Sequence, residues 1–431
     1  MGRYLAPLFG LAAILLVGWY GYRAFVQEEI PLPLAETAEA ASQDRLPTEP
    51  SDWQGKIDYL SLDRRIAALA ARPEMAGLAV AIVEDGEIRF VQTYGVTDKR
   101  SGEQVTPQTV FRWASVSKGV AGSLAAKLSE EDGLDLDATL NRWQTSLMLP
   151  GEAMSRITLA QLMSHQTGLT KNAYDRKLED GESPGLLRKQ LGTAPLQCIP
   201  GTCHSYQNIA FDTASEILGQ AAGTMYDDAA KTQLFEPLGM ESAQFGMIGL
   251  TGADSWARPH HGDEVRTLVE SYWRLPAAAG VNSNIVDMAR WLRAQLGANE
   301  DVLSGMTLER AHSPLVETGR VYGGDLARAL NEPSYGLGWR NFTYEGRRLI
   351  GHSGAVDGYR ATIIFDPAAR TGVAAMWNSG WGAPFKIPFA ALDSYYGKSA
   401  NDQSAKDWLD LSDLPLPEPL PPSFSDNQPV S

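Results

Sequence analysis

The chain is poor in the residues that staple small folds or hold metals. Its 431 residues include two cysteines, Cys198 and Cys203, and six histidines. That excludes a disulfide-built scaffold. Two cysteines with His204 beside them lack the ligand spacing of a zinc site. His260 and His261 stand near Asp263 and Glu264, but adjacent side chains point apart and the segment reads as a loop. No metal and no cofactor is expected. Positive charge is also short, with 37 Lys and Arg against 52 Asp and Glu and a net charge of −15. Without a basic cluster the chain is no candidate for binding nucleic acid, which needs grouped Lys and Arg. There is no internal repeat. What remains is globular in composition, 44% hydrophobic and 21% charged, and long enough to bury a large core.

Residues 4–22 carry no charge and end in Trp19, Tyr20 and Tyr22. As a helix they would span about 28 Å, close to the roughly 30 Å of a bilayer's hydrocarbon core. Residues 1–23 therefore read as a transmembrane signal anchor, with a cleaved signal peptide as the alternative. Residues 24–54, rich in Ala, Glu, Pro and Ser, read as a flexible linker. Residues 401–431 read as a proline-rich tail, with six prolines between Pro415 and Pro429. One globular unit, 55–400, lies between. On an exported chain Cys198 and Cys203 are expected to pair in a small loop.

Strand patterns occur at both ends of that unit. Gly77–Glu84 is apolar, Asp85-Gly86 follows, and Glu87–Thr93 alternates, which is a hairpin signature. Late in the chain Gly336–Phe342 and Arg347–Ile350 flank Glu345-Gly346, and Gly358–Phe365 and Gly372–Asn378 flank Asp366-Pro367. The middle is helical, as in Ile209–Ala222 and Asn284–Leu296. This order predicts an α/β (α+β) sandwich: a central antiparallel sheet flanked by helices, with a mainly helical subdomain.

Three short patterns carry chemistry. In Ser115-Val116-Ser117-Lys118 a lysine lies three positions from a serine, within reach on one helical face. A serine hydroxyl needs such a neighbour to take its proton. In Tyr206-Gln207-Asn208 a tyrosine works as a base only beside a cation, which Lys118 can supply, and Asn208 offers an amide to orient a substrate. In His352-Ser353-Gly354 the glycine lets a substrate lie along a strand edge, and the histidine can add charge or relay a proton.

Together these patterns resemble the penicillin-recognising serine hydrolases: class C β-lactamases, D-Ala-D-Ala carboxypeptidases and related esterases. The resemblance extends to Leu162–Leu169, Pro200-Gly201, Glu236–Met240 and Ala279–Ser283. It implies a β-lactamase-like fold in which Ser115 is acylated and Lys118 and Tyr206 handle its proton. Asn208, His352, Ser353, Gly354 and Ala355 would bind substrate, with the N–H groups of Ser115 and Ala355 as oxyanion hole. The implied substrates are β-lactams or peptidoglycan stem peptides ending in D-Ala-D-Ala, met on the periplasmic side of a bacterial cytoplasmic membrane. An esterase or D-aminopeptidase, or a non-catalytic peptidoglycan-binding or sensing protein, are the alternatives. Class C enzymes carry Lys-Thr-Gly where this chain has His352-Ser353-Gly354, so a fixed cation for the substrate carboxylate is missing from that motif; Arg360 is a candidate to replace it.

Overall fold

The computed structural model describes residues 46–131, 133–398 and 406–410. The apolar stretch 4–22 lies outside them. Among the described residues no helix is long and apolar enough to cross a membrane.

The Asp85-Gly86 turn forms as the sequence predicts. Both residues have positive φ, 53° and 90°, the conformation that matches the twist of a two-residue hairpin. It joins β1 (Gly77–Glu84) to β2 (Glu87–Gly95). The remaining strands of the main sheet come from the chain's last third: β3 (Val316–Glu317), β4 (Asn331–Tyr335), β5 (Arg340–Tyr344), β6 (Arg347–Val356), β7 (Tyr359–Asp366) and β8 (Thr371–Trp377). The order is β2-β1-β8-β7-β6-β5-β4-β3, antiparallel throughout. The early and late strands thus meet inside the sheet, one strand in from the β2 edge, where Leu78 pairs with Trp377 and Val80 with Ala375.

Every residue of β1 is buried because helices cover both faces. Leu78, Val80 and Ile82 join a core with α1 (Tyr59–Ala70) and the late helix Ile387–Tyr395. On the opposite face α5 (Ile285–Gln295) packs against β1, β2 and β8, while α2 (Ser117–Glu130) packs on α3 (Thr213–Ala222), α4 (Pro276–Ala279) and the helix Gly305–His312; Ile387–Tyr395 is α6.

Three boundaries differ from the sequence reading. The compact unit starts at Pro47, inside the expected linker. Pro47 is buried, its carbonyl accepts from Val91 N, and the Trp53 ring packs tilted against Phe90 with centroids 5.0 Å apart. Within the expected tail, Trp408 and Leu409 are buried in the α1–α6 core. Gly336–Trp339 is a bend rather than the start of β5, because Gly338 (φ 75°) passes so close to the Lys118 carbonyl that a side chain there would collide with it.

Candidate active site

The sharp turn that presents Ser115 begins at Ala114, whose φ of 47° is unusual for a residue with a side chain. A 3-10 turn, Ala114–Val116, leads directly into α2. Ser115 lines a cavity of about 580 Å³ between the sheet and the helical region. Tyr206, Asn208, Ser353 and Ala355 line the same cavity. Four of the expected site residues therefore share its wall with the nucleophile candidate, while Lys118, His352 and Gly354 lie behind it.

Lys118 is fully buried. Its Nζ sits 3.4 Å from Ser115 Oγ and donates to Asn208 Oδ1 at 2.8 Å and to the Ala278 carbonyl at 2.9 Å. The rings of Tyr206 and Phe211 lie 4.9 and 5.4 Å from the same nitrogen. The short helix α4 that carries Ala278 is held by Asp212, whose Oδ1 accepts from Ala277 N at 2.9 Å and whose Oδ2 accepts from Arg188 at 2.8 Å. Burial pushes the Asp212 carboxyl up to about 7 despite Arg188.

Gly354, on β6, is needed for a different contact from the one its motif suggested. A Cβ there would lie 2.2 Å from the Trp113 carbonyl and 3.0 Å from Ser115 N. The glycine lets β6 press against the backbone of the nucleophile turn, which brings Ala355 beside Ser115.

His352 also departs from expectation. It is 1% exposed, and burial, then Arg340 and Lys118, hold its imidazole well below the usual histidine range. A neutral ring with Nδ1 2.9 Å from the Ser353 carbonyl carries its proton there. Nε2 then accepts from Tyr335 Oη at 2.9 Å. His352 is thus a neutral partner of Tyr335 and supplies no charge at pH 7. Ser353 Oγ pairs with Tyr322 Oη at 2.6 Å and Thr362 Oγ1 at 3.0 Å. His165 packs 4.3 Å from the Tyr206 ring and accepts from Gln207 N through Nδ1 at 3.2 Å, a structural role.

Arg360 does not reach the cavity. Its guanidinium is tied to the Val356 and Tyr359 carbonyls at 2.7 Å each. The buried cation in the cavity wall, which the exposed Lys171 and Arg320 also line, is Arg340, on β5, which sequence reasoning missed. It is 8% exposed and lines the cavity. Among the described residues its guanidinium has no hydrogen bond or ion pair; the Tyr335 and Tyr206 rings lie 5.1 and 5.4 Å from it. A charged residue inside a buried strand, Trp339-Arg340-Asn341-Phe342, was its signal. Asp175, also missed, accepts from Asn208 Nδ2 at 2.7 Å; no local pattern marked it.

Cys198 and Cys203 are bridged, with Cα atoms 6.4 Å apart, and the flanking Gln197 and His204 line the cavity. His260 is buried between the Arg258 carbonyl and Lys99 N. Among the described residues no cluster of His, Cys, Asp or Glu is arranged to hold a metal.

A family model described as Beta-lactamase matches residues 62–389. The chain belongs to that family, the penicillin-recognising serine hydrolases. Among curated beta-lactamase-family relatives, a D-aminopeptidase of Gluconobacter oxydans is 27% identical across 74% of this chain and 58% of its own length. Penicillin-binding protein 4 of Amycolatopsis lactamdurans is 25% identical across 79% of this chain and 88% of its own. The chain spans about three-fifths of the length of the first curated relatives it matches, 64%, 58% and 60%. Among solved structures, an octameric penicillin-binding protein homologue from Pyrococcus abyssi superposes with a TM-score of 0.70 at 24% identity, covering 80% of this chain and 78% of that one. A class C beta-lactamase gives 0.63 at 19%, covering 78% and 95%. These structures share the beta-lactamase fold of this chain.

Proposed function

We propose that this protein is a serine hydrolase working through an acyl-enzyme on β-lactams or peptidoglycan D-Ala-D-Ala peptides. The observation that carries the reading is Ser115 in the wall of one cavity with Tyr206 and Asn208, with Lys118 directly behind it, 3.4 Å from Ser115 Oγ. Ser115 Oγ attacks the substrate carbonyl while its proton passes to Lys118 or Tyr206. The oxyanion is received by the N–H groups of Ser115 and Ala355. The proton returns to the leaving nitrogen as the C–N bond breaks, and water then hydrolyses the ester. The unpaired Arg340 supports a substrate bearing a carboxylate, since a buried cation without a partner is costly until an anion joins it.

The first test is the intact mass of the full chain after exposure to a penicillin, beside Ser115→Ala. An acyl adduct on the wild type alone is expected. No adduct and intact penicillin would overturn the substrate reading. A second reading, a D-aminopeptidase, is favoured by Glu179 and Asp357 in the same cavity, which suit a substrate ammonium group. Faster turnover of D-aminoacyl anilides than of their N-acetyl forms would select it. We also propose that the domain is tethered by residues 1–23 on the periplasmic side of a cytoplasmic membrane. The Cys198–Cys203 bridge supports an oxidising compartment. Release of the protein from membranes by salt alone would count against the tether.

A further inference from the structure

We propose that Asp175 is a positioning residue for the proposed acyl transfer: it fixes the Asn208 amide and, through it, biases the proton state of Lys118. The proposal rests on the serine hydrolase reading of this site.

The Asn208 amide is held at both ends by groups that leave it one orientation. An ammonium only donates, so Lys118 takes Oδ1, at 2.8 Å. A carboxylate only accepts, so Asp175 Oδ2 takes Nδ2–H, at 2.7 Å. Turning the amide over would set N–H against N–H and oxygen against oxygen. One Nδ2 hydrogen stays free for a substrate in the cavity that Asn208 lines.

Asp175 is 7% exposed. It opens the short helix Asp175–Glu179, and its N–H donates to the Asn172 carbonyl at 3.1 Å. Asn172 N in turn donates to the Tyr206 carbonyl at 2.9 Å. The loop backbone is therefore clamped to the segment that carries Tyr206 and Asn208.

Among the described residues Asp175 has no ion pair. The groups facing it are Asn208, Tyr272 (whose single hydroxyl hydrogen is shared between Asp175 at 3.2 Å and Glu179 at 2.8 Å), Glu179 and, beyond Asn208, Lys118. Lys118 itself faces Ser115, Asn208, the Ala278 carbonyl and the rings of Tyr206 and Phe211. His165 and His352, which also feel Lys118, are driven neutral by burial. The other buried carboxylate near this network, Asp212, is paired with Arg188, which also holds Glu216. Asp175 is the unneutralised negative charge joined to Lys118 through a single side chain. Burial raises its carboxyl; the Asn208 bond and Lys118 pull it back down. Asp175 and Lys118 thus act on one another's charge across the Asn208 amide.

The test is Asp175→Asn, which keeps the shape and an acceptor for Asn208 but removes the charge. The readout is the pH profile of kcat/KM for a chromogenic cephalosporin. With the charge gone the free amine persists to lower pH, so the acid limb should move down by about one pH unit, while the plateau falls less than about tenfold. A uniform loss at all pH with the limb in place would reduce Asp175 to a structural role and overturn the proposal. If Asp175→Asn does not fold, Tyr272→Phe decides. It removes a donor that stabilises the Asp175 charge, and should shift the limb the same way by less; an unmoved limb overturns the proposal. Wild type that forms no Ser115-dependent adduct would overturn the functional reading and this inference with it. Normal wild-type acylation with unmoved limbs in the variants would overturn only the role of Asp175.

Discussion

Lys118 is a buried cation whose hydrogens are aimed at Ser115 Oγ, Asn208 Oδ1 and the Ala278 carbonyl. Lys118→Met keeps the length of the side chain and removes the amine proposed to exchange a proton with Ser115. Acylation by a chromogenic cephalosporin is expected to slow by about 10²–10⁴-fold, the usual worth of a general base; stopped-flow rates within tenfold of wild type would show that Lys118 is not that base. A second residue-scale effect concerns stability. His312, buried against Gln295 at 2.9 Å, has its imidazole lowered to about 3 by burial and then by Arg348. The unfolded chain takes up that proton near pH 6.5 and the folded chain only near 3, so the contribution of His312 is lost as pH falls through this window. The stability of wild type minus that of His312→Asn, from urea unfolding, should therefore fall by about 1.4 kcal/mol per pH unit below 6.5. A constant difference would mean that His312 is already charged in the folded state. Ser115 and Lys118 were legible in the sequence because their contact is local, three residues along one helix. Arg340 and Asp175 were not, since each reaches the site across the tertiary fold. Nor was the neutral state of His352, which is set by burial that no motif encodes.

Elements were legible where turn chemistry and hydrophobic pattern agree. Asp85-Gly86 marked the β1–β2 hairpin because both residues must take positive φ. The buried runs of β7 and β8 marked the central strands. The start of β5 was not legible, because the bend at Gly338 answers to the Lys118 carbonyl, a contact more than two hundred positions away in sequence. The same kind of long-range contact gives Gly354 its importance. A methyl group there meets the Trp113 carbonyl at 2.2 Å, so Gly354→Ala must push β6 away from the Ser115 turn. The displaced Ala355 N–H would leave the oxyanion position, and losing one such donor costs about 10²–10³-fold in rate. The added bulk should also lower stability by about 1–3 kcal/mol. Penicillin acylation measured by mass against time, together with a urea melt, separates the two effects. A variant with lost stability but full acylation would refute the role given to β6.

At the scale of the whole molecule, composition and the order of elements made the sandwich legible, whereas its edges were not. Low-complexity segments read as tether and tail because proline and small polar residues dominate them, yet single apolar residues within them dock on the core. Trp53 closes over Phe90 on β2, and Trp408 donates to Asp393 at 2.9 Å while packing 5.4 Å from Phe389. Both tryptophans cover the face of the sheet held by α1 and α6, at its two chain ends. A chain cut to residues 55–400 loses both covers and leaves Phe90 and Phe389 partly open to water. A chain cut to 47–410 keeps them. Removing one well-buried tryptophan commonly costs about 3–5 kcal/mol, so the shorter chain should unfold at distinctly lower urea concentration than the longer one. Trp408→Ala in the full chain should reproduce the larger part of that loss. Because no residue of α1, α6 or the removed segments lines the cavity, acylation of the still-folded short chain should keep its rate. Equal unfolding midpoints for the two cut chains would mean that the docked ends add nothing to the core; a matched loss of acylation rate would mean that the α1–α6 face and the cavity are coupled through the sheet.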